Sequence, residues 1–216
     1  MSITPVLYGK SVLPESMVFK GGAKEKNLPI VFLVYLIKTK DKMILVDAGC
    51  ETMPGFVMED FIGPVKALEK INVSADEITD LVITHAHHDH IASANRFKNA
   101  VVYIQEEEYK SGKKYLTESK EIVTFDDEYT ICENVKAIKI GGHSKGSSIV
   151  EVTNGDKIYV IAGDECYLKD CIDKQIPTGA SCCEEKSLAF IQKYKKDCYV
   201  PLICHDPMVA TGKPLY

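Results

Sequence analysis

Long apolar runs are missing from this 216-residue chain. The longest unbroken one, Ile30 to Ile37, falls far short of the roughly 20 residues that span a bilayer, so no membrane helix is expected. A basic run is missing as well. Lys and Arg total 26 against 31 Asp and Glu, a formal net charge of −5. That balance argues against nucleic acid or an anionic membrane as a partner. The opening Met-Ser-Ile-Thr-Pro lacks a positive region followed by an apolar one, so no signal peptide is expected. The eight cysteines (Cys50, Cys132, Cys166, Cys171, Cys182, Cys183, Cys198 and Cys204) include no C-x-x-C pair and lack the spacing of a small disulfide scaffold. Reduced, mostly buried thiols in a cytoplasmic protein are the expectation, and the sequon Asn72-Val73-Ser74 then carries no sugar. Repeats, low-complexity tracts and linkers are absent too. One domain over residues 1–216 is expected, with the ordinary soluble balance of 45% hydrophobic and 26% charged residues.

What is present alternates between strand and helix patterns. Ile30–Ile37 reads as a buried strand, Lys38–Lys42 as a turn and Met43–Val46 as the second half of a hairpin ending in Asp47-Ala48-Gly49. Residues 56–71 carry apolar side chains at helical spacing, with Gly63-Pro64 as a kink or start. Leu81–Thr84, Val101–Ile104, Val135–Ile140, Ser148–Val152 and Ile158–Ala162 read as strands, the last two joined by a turn at Asn154-Gly155. Ser187–Lys196 reads as an amphipathic helix. Cys198–Ile203 reads as a final strand, with Pro201 favouring a sheet edge. Strands and helices mixed along the whole length give an α/β (α+β) class.

Four of the six histidines lie in one loop, Thr84-His85-Ala86-His87-His88-Asp89-His90, directly after a strand. Imidazole and carboxylate suit Zn²⁺ or Fe, and a loop can turn several of them onto one point. The other two, His143 and His205, also follow strands, as does Asp164. One sheet edge would bring all of them together. The alternative for each alone is a local role, a turn at Gly142-His143 or an Asp164 helix cap.

In this order the residues resemble the metallo-β-lactamase superfamily. Its H-x-H-x-D-H signature stands here as His85, His87, Asp89 and His90, followed by His143, Asp164 and His205. The resemblance implies a four-layer αββα sandwich with a dinuclear site at one sheet edge. His85, His87 and His143 would hold one divalent metal, Asp89, His90 and His205 the other, and Asp164 would bridge them. The two ions would be Zn²⁺, with Fe or Mn as alternatives. Asp47 would accept hydrogen bonds that fix the histidine loop. His88 falls on a variable position and is expected at the rim. A metal-bridging hydroxide would attack an acyl carbon, and Asp89 would shuttle the proton to the leaving group.

Three stretches are similar to the N-acyl homoserine lactonases: residues 28–49, residues 75–109, and Asp164-Glu165-Cys166-Tyr167, which keeps a tyrosine three residues after the bridging aspartate. That resemblance implies that Tyr167 donates to the developing oxyanion of a small lactone or ester. The chain departs from the family at Ile91-Ala92-Ser93, where Gly-Gly is usual, at Lys145, where Pro is usual, and at Ser147, where lactonases often have His. Lys110–Lys120 reads as a solvated loop or a lid. A thioesterase of glyoxalase II type is the main alternative; its usual C-terminal domain has no room in the eleven residues after His205. A non-catalytic metal-binding protein is the minor one. The expected partner is a small-molecule substrate.

Overall fold

The computed structural model describes residues 1–209. It holds two sheets. The first has six strands in spatial order β1 to β6: β1 Ser2–Pro14, β2 Asn27–Lys38, β3 Met43–Val46, β4 Asp80–Ile83, β5 Val101–Gln105 and β6 Glu121–Phe125. Its β1, β2 and β3 are antiparallel neighbours, and β3 to β6 run parallel. The second sheet has the order β11-β10-β9-β8-β7: β7 Glu128–Cys132, β8 Val135–Lys139, β9 Ser148–Asn154, β10 Lys157–Ile161 and β11 Tyr199–Leu202. As the Pro201 reading requires, β11 is an edge strand, paired parallel to β10. The helices are α1 Glu15–Val18, α2 Pro64–Glu69, α3 His88–Ile91, α4 Glu106–Gly112, α5 Asp170–Asp173 and α6 Glu184–Tyr194.

Strand β2 shows why the sheets stack. Ile30, Phe32, Val34 and Leu36 enter one core, and Val31, Leu33, Tyr35 and Ile37 enter another. Successive strand side chains point to opposite faces, so an unbroken apolar run is buried on both sides. The second core lies between the sheets, where Val46 and Val82 meet Ala137, Val150 and Ile161. The first packs the outer face of sheet one on Ala67 and Leu68 of α2 and Ile91 of α3. A third packs Ile149 and Val160 of sheet two on Phe190, Ile191 and Tyr194 of α6. Three cores separate four layers, the αββα order. Each fully buried aliphatic side chain contributes about 1.5–3 kcal/mol of transfer free energy.

Three readings need correction. The helix expected over residues 56–71 is only Pro64–Glu69. Asp60 and Gly63 adopt left-handed backbone (φ 48° and 76°), which breaks any earlier turn. Pro64 then starts the helix, with φ already set and no N–H to satisfy. Phe56, Met58 and Phe61 still reach the first core, but from an irregular segment. The eight thiols are free, but only Cys50, Cys166, Cys171 and Cys204 are buried. The helix read at Ser187–Lys196 begins earlier, at Glu184. Among the described residues no helix is long and apolar enough to cross a membrane.

Candidate metal centre

The ends of β3, β4, β8, β10 and β11 meet at one edge of the sandwich and deliver the site. Asp47 follows β3 with a left-handed backbone, φ 63°. For a residue other than glycine this conformation costs about 1–3 kcal/mol. Its side chain offsets the strain through three hydrogen bonds. Oδ1 accepts from the Thr84 N–H at 2.8 Å, and Oδ2 accepts from the Thr84 hydroxyl at 2.9 Å and from His90 Nδ1 at 2.7 Å. One buried carboxylate thus holds both ends of the histidine loop. Gly163, before Asp164, is also left-handed (φ 52°), and a Cβ there would sit 3.0 Å from Thr84 Oγ1.

The seven sequence-predicted donors form two groups, His85, His87, His143 and Asp164 in one, Asp89, His90 and His205 in the other. In the first, His85 Nε2 lies 3.0 Å and His143 Nε2 2.9 Å from His87 Nδ1. Asp164 Oδ2 is 3.6 Å from the His85 nitrogen and 3.5 Å from that of His143. The other oxygen, Oδ1, lies 3.1 Å from Nε2 of both His90 and His205. Asp89 Oδ2 is 3.6 Å from the same two nitrogens. Asp164 therefore gives one oxygen to each group.

These spacings fit metal coordination. Donors 2.0–2.1 Å from a tetrahedral ion lie about 3.3 Å apart. His90 Nε2, His205 Nε2 and Asp164 Oδ1 are buried with no hydrogen-bond partner, and unpartnered buried polar atoms are rare without a ligand. The far ring nitrogens set the tautomers. His90 Nδ1 donates to Asp47, and His205 Nδ1 to the Val31 carbonyl at 2.8 Å, which leaves each Nε2 lone pair facing inward. Thr84 gives its proton to Asp47 and so accepts from His85 Nδ1 at 3.1 Å. Burial pushes His85 well down and His143 down to about 4, keeping both in the neutral form that binds metal. With no metal bound, burial opposes the charge of Asp164, but His90 and His205, whose own values its carboxylate pushes up against burial, pair with it in their protonated form and hold the carboxyl well below its usual range.

The donors floor a cavity of about 200 Å³. Its wall is apolar: Leu13, Met17, Ile30, Phe32, Met53 and Phe56. Tyr167 lines it too, stacked on His205 with ring centroids 5.3 Å apart. Burial, then the charges of Asp164 and Asp89, push its phenol well up, so it stays a donor. Lysine and arginine are absent from the described lining.

A sequence model of the Metallo-beta-lactamase superfamily matches residues 33–177, two thirds of the chain and all but one of the seven donors. The chain belongs to this superfamily. It is similar to a probable metallo-hydrolase of Methanocaldococcus jannaschii, 29% identical over 71% of this chain and 66% of that protein. It is also similar to an N-acyl homoserine lactonase of Bacillus cereus, 24% identical over 79% of this chain and 76% of that protein. Among solved structures, an N-acyl homoserine lactone hydrolase with N-hexanoyl-L-homoserine at its catalytic metal center superposes with a TM-score of 0.83, covering 96% and 94% of the two chains at 20% identity. The chain is accordingly a metallo-β-lactamase-fold hydrolase.

Two carboxylates of this superfamily member escaped the sequence reading. Glu108, on α4, joins the two histidine loops. Its Oε2 accepts from the Ala86 N–H at 2.8 Å, and its Oε1 from the Gly146 N–H at 2.9 Å and the Ser144 hydroxyl at 2.7 Å. Glu165 braces the His143 loop from the other side. Its Oε1 accepts from the N–H groups of Gly142 and His143 at 3.2 and 3.3 Å and from the Ser147 hydroxyl at 2.5 Å. Burial pushes Glu165 up to about 7. Ser147, the departure from the usual lactonase histidine, thus pairs with a carboxylate. A glutamate inside the apolar stretch Ile161–Tyr167 was the available signal for Glu165; Glu108 hides in a run of three glutamates. His88 lies outside both donor groups, and Lys110–Lys120 does not line the cavity.

Proposed function

We propose that the chain hydrolyses small lactones or esters with two divalent metal ions, Zn²⁺ before Fe or Mn. His85, His87 and His143 hold one, Asp89, His90 and His205 the other, and Asp164 both. The observation that carries this reading is the division of Asp164: one oxygen to each donor group, on the floor of an apolar cavity. When bound, such a pair of metals supplies an activated water and polarises the acyl carbonyl.

The chain's own residues do the rest. The apolar wall takes the acyl chain and excludes water from it. The Tyr167 hydroxyl donates to the oxygen on which negative charge develops, an arrangement worth about 10²–10³ in rate. Asp89, at the cavity edge, carries a proton to the leaving oxygen. With no cation on the described lining, an anionic acyl or thiol carrier such as glutathione finds no partner, which favours a neutral lactone over a glutathione thioester.

The test is initial hydrolysis rate on N-hexanoyl homoserine lactone and on an acyl-glutathione thioester, each with and without chelator. Chelator-sensitive lactone turnover with little thioester cleavage is the expected result. Preferential thioester cleavage would move the protein to the glyoxalase II-like class.

A further inference from the structure

His88 stands between two metal-donor residues yet turns elsewhere. Its Nε2 lies 2.8 Å from the Thr52 carbonyl. A carbonyl only accepts, so Nε2 donates, and Nδ1 is left facing the Tyr115 hydroxyl at 3.5 Å. The His88 and Tyr115 rings meet edge to face, centroids 6.2 Å apart.

Thr52 belongs to residues 51–56, which have no regular structure and supply Met53 and Phe56 to the cavity wall. The segment is anchored on both sides. Before it, the Ala48 N–H donates to the His90 carbonyl and the Ser93 N–H to the Gly49 carbonyl. After it, the Ser11 hydroxyl donates to the Val57 carbonyl, and Glu59 pairs with Lys10. Between these anchors Glu51, Thr52, Pro54 and Gly55 are exposed. Among the described residues, the His88–Thr52 bond is the one hydrogen bond that ties 51–56 to anything outside residues 50–56. Met53 and Phe56 pack on the first core, Phe56 edge-on to Phe32; with the one outside hydrogen bond cut, these side chains alone hold the segment and it opens more readily.

We propose that His88 is a positioning residue that pins residues 51–56 and thereby fixes the Met53–Phe56 wall, setting how well a long acyl chain is held. The loop that presents the metal donors thus also sets the acyl wall. The acyl-chain part rests on the function proposed above; the pinning does not, and the test separates them.

The chain has no tryptophan, so Phe56→Trp places a single tryptophan, excited apart from the tyrosines, on the segment. In metal-loaded protein carrying it, His88→Ala is expected to raise acrylamide quenching by at least about twofold. His88→Gln, which keeps an N–H donor, restores the parent value. Quenching unmoved by His88→Ala, or not restored by Gln, overturns the pinning. In the native Phe56 background, His88→Ala raises KM for N-decanoyl homoserine lactone about tenfold, leaves KM for the butanoyl compound and kcat within about twofold, and keeps the bound metal. A uniform fall in kcat with loss of metal would instead make His88 a support of the ligand loop and overturn the proposal. A quenching response together with no wild-type turnover of any lactone would sink the substrate reading alone.

Discussion

The two donor groups differ most on the side away from Asp164. Behind His90 and His205 the ring nitrogens are claimed by strong acceptors, the Asp47 carboxylate at 2.7 Å and the Val31 carbonyl at 2.8 Å. Behind the other group support is thinner. His85 leans on the Thr84 hydroxyl at 3.1 Å, His143 Nδ1 has no partner, and His87 is exposed at the cavity mouth. An acceptor on the far nitrogen fixes both tautomer and ring orientation. One half of the centre is therefore built into the sandwich, while the other is held through its loops, by Glu108 and Glu165 acting on backbone N–H groups. Rigid and adjustable halves sit side by side and share one carboxylate.

Removing that carboxylate breaks the comparison outright. Asp164→Ala is expected to lower hydrolysis by on the order of 10³ or more and to drop bound metal, read by mass spectrometry, to less than one ion per chain. Full occupancy in this variant would mean that the halves are independent. The adjustable half carries a pH signature of its own. Burial holds folded His143 at about 4, against an unfolded value of about 6.5. A depressed folded value stabilises above the unfolded one, and the contribution is lost as pH falls through about 4. In metal-free protein, His143→Gln should remove on the order of 3 kcal/mol of the stability lost between pH 7 and pH 4. Urea midpoints at the two pH values check it, and equal losses in both proteins would refute it.

Tyr167 rests on His205 of the rigid half. Tyr167→Phe keeps the stack and removes the donor, so kcat should fall about 100-fold with metal content unchanged. A rise in KM alone would assign the ring to packing. The finest test is Asp47→Asn, which keeps a residue tolerant of left-handed backbone. It should weaken metal binding about 10–100-fold at the rigid half and less at the other. Calorimetric titration resolves the two steps, and equal weakening would mean that the two halves are equally braced.

How much of this was legible follows from the range of the interactions. Strand β2 was readable because each of its residues is buried on one face or the other, leaving an unbroken apolar run. Strand β1 was not, because Pro5, Gly9 and Lys10 blur its pattern and its register shifts between Leu7 and Gly9. The helical spacing over residues 56–71 misled because the core collects apolar side chains from an irregular segment as well as from a helix. The seven donors were legible since four share a local signature and the others each end a strand. Glu108 was not, because two of its three partners are backbone N–H groups up to 38 residues away, and backbone N–H groups carry no sequence identity. The His88 tie to a carbonyl is silent for the same reason.

Strand β2 also bears on when the centre can exist. Its Val31 and Leu33 N–H groups donate to the carbonyls of His205 and Cys204, both at 3.1 Å, and Val31 receives the His205 ring across 174 positions of sequence. One of the first strands to leave the ribosome closes on the last donor to be made. A nascent chain stalled between residues 165 and 204 holds six of the seven donors and has the Val31 carbonyl bare. A metal in the His90–His205 group would thus wait for His205, just past β11, whereas the His85–Asp164 group is complete about forty residues earlier.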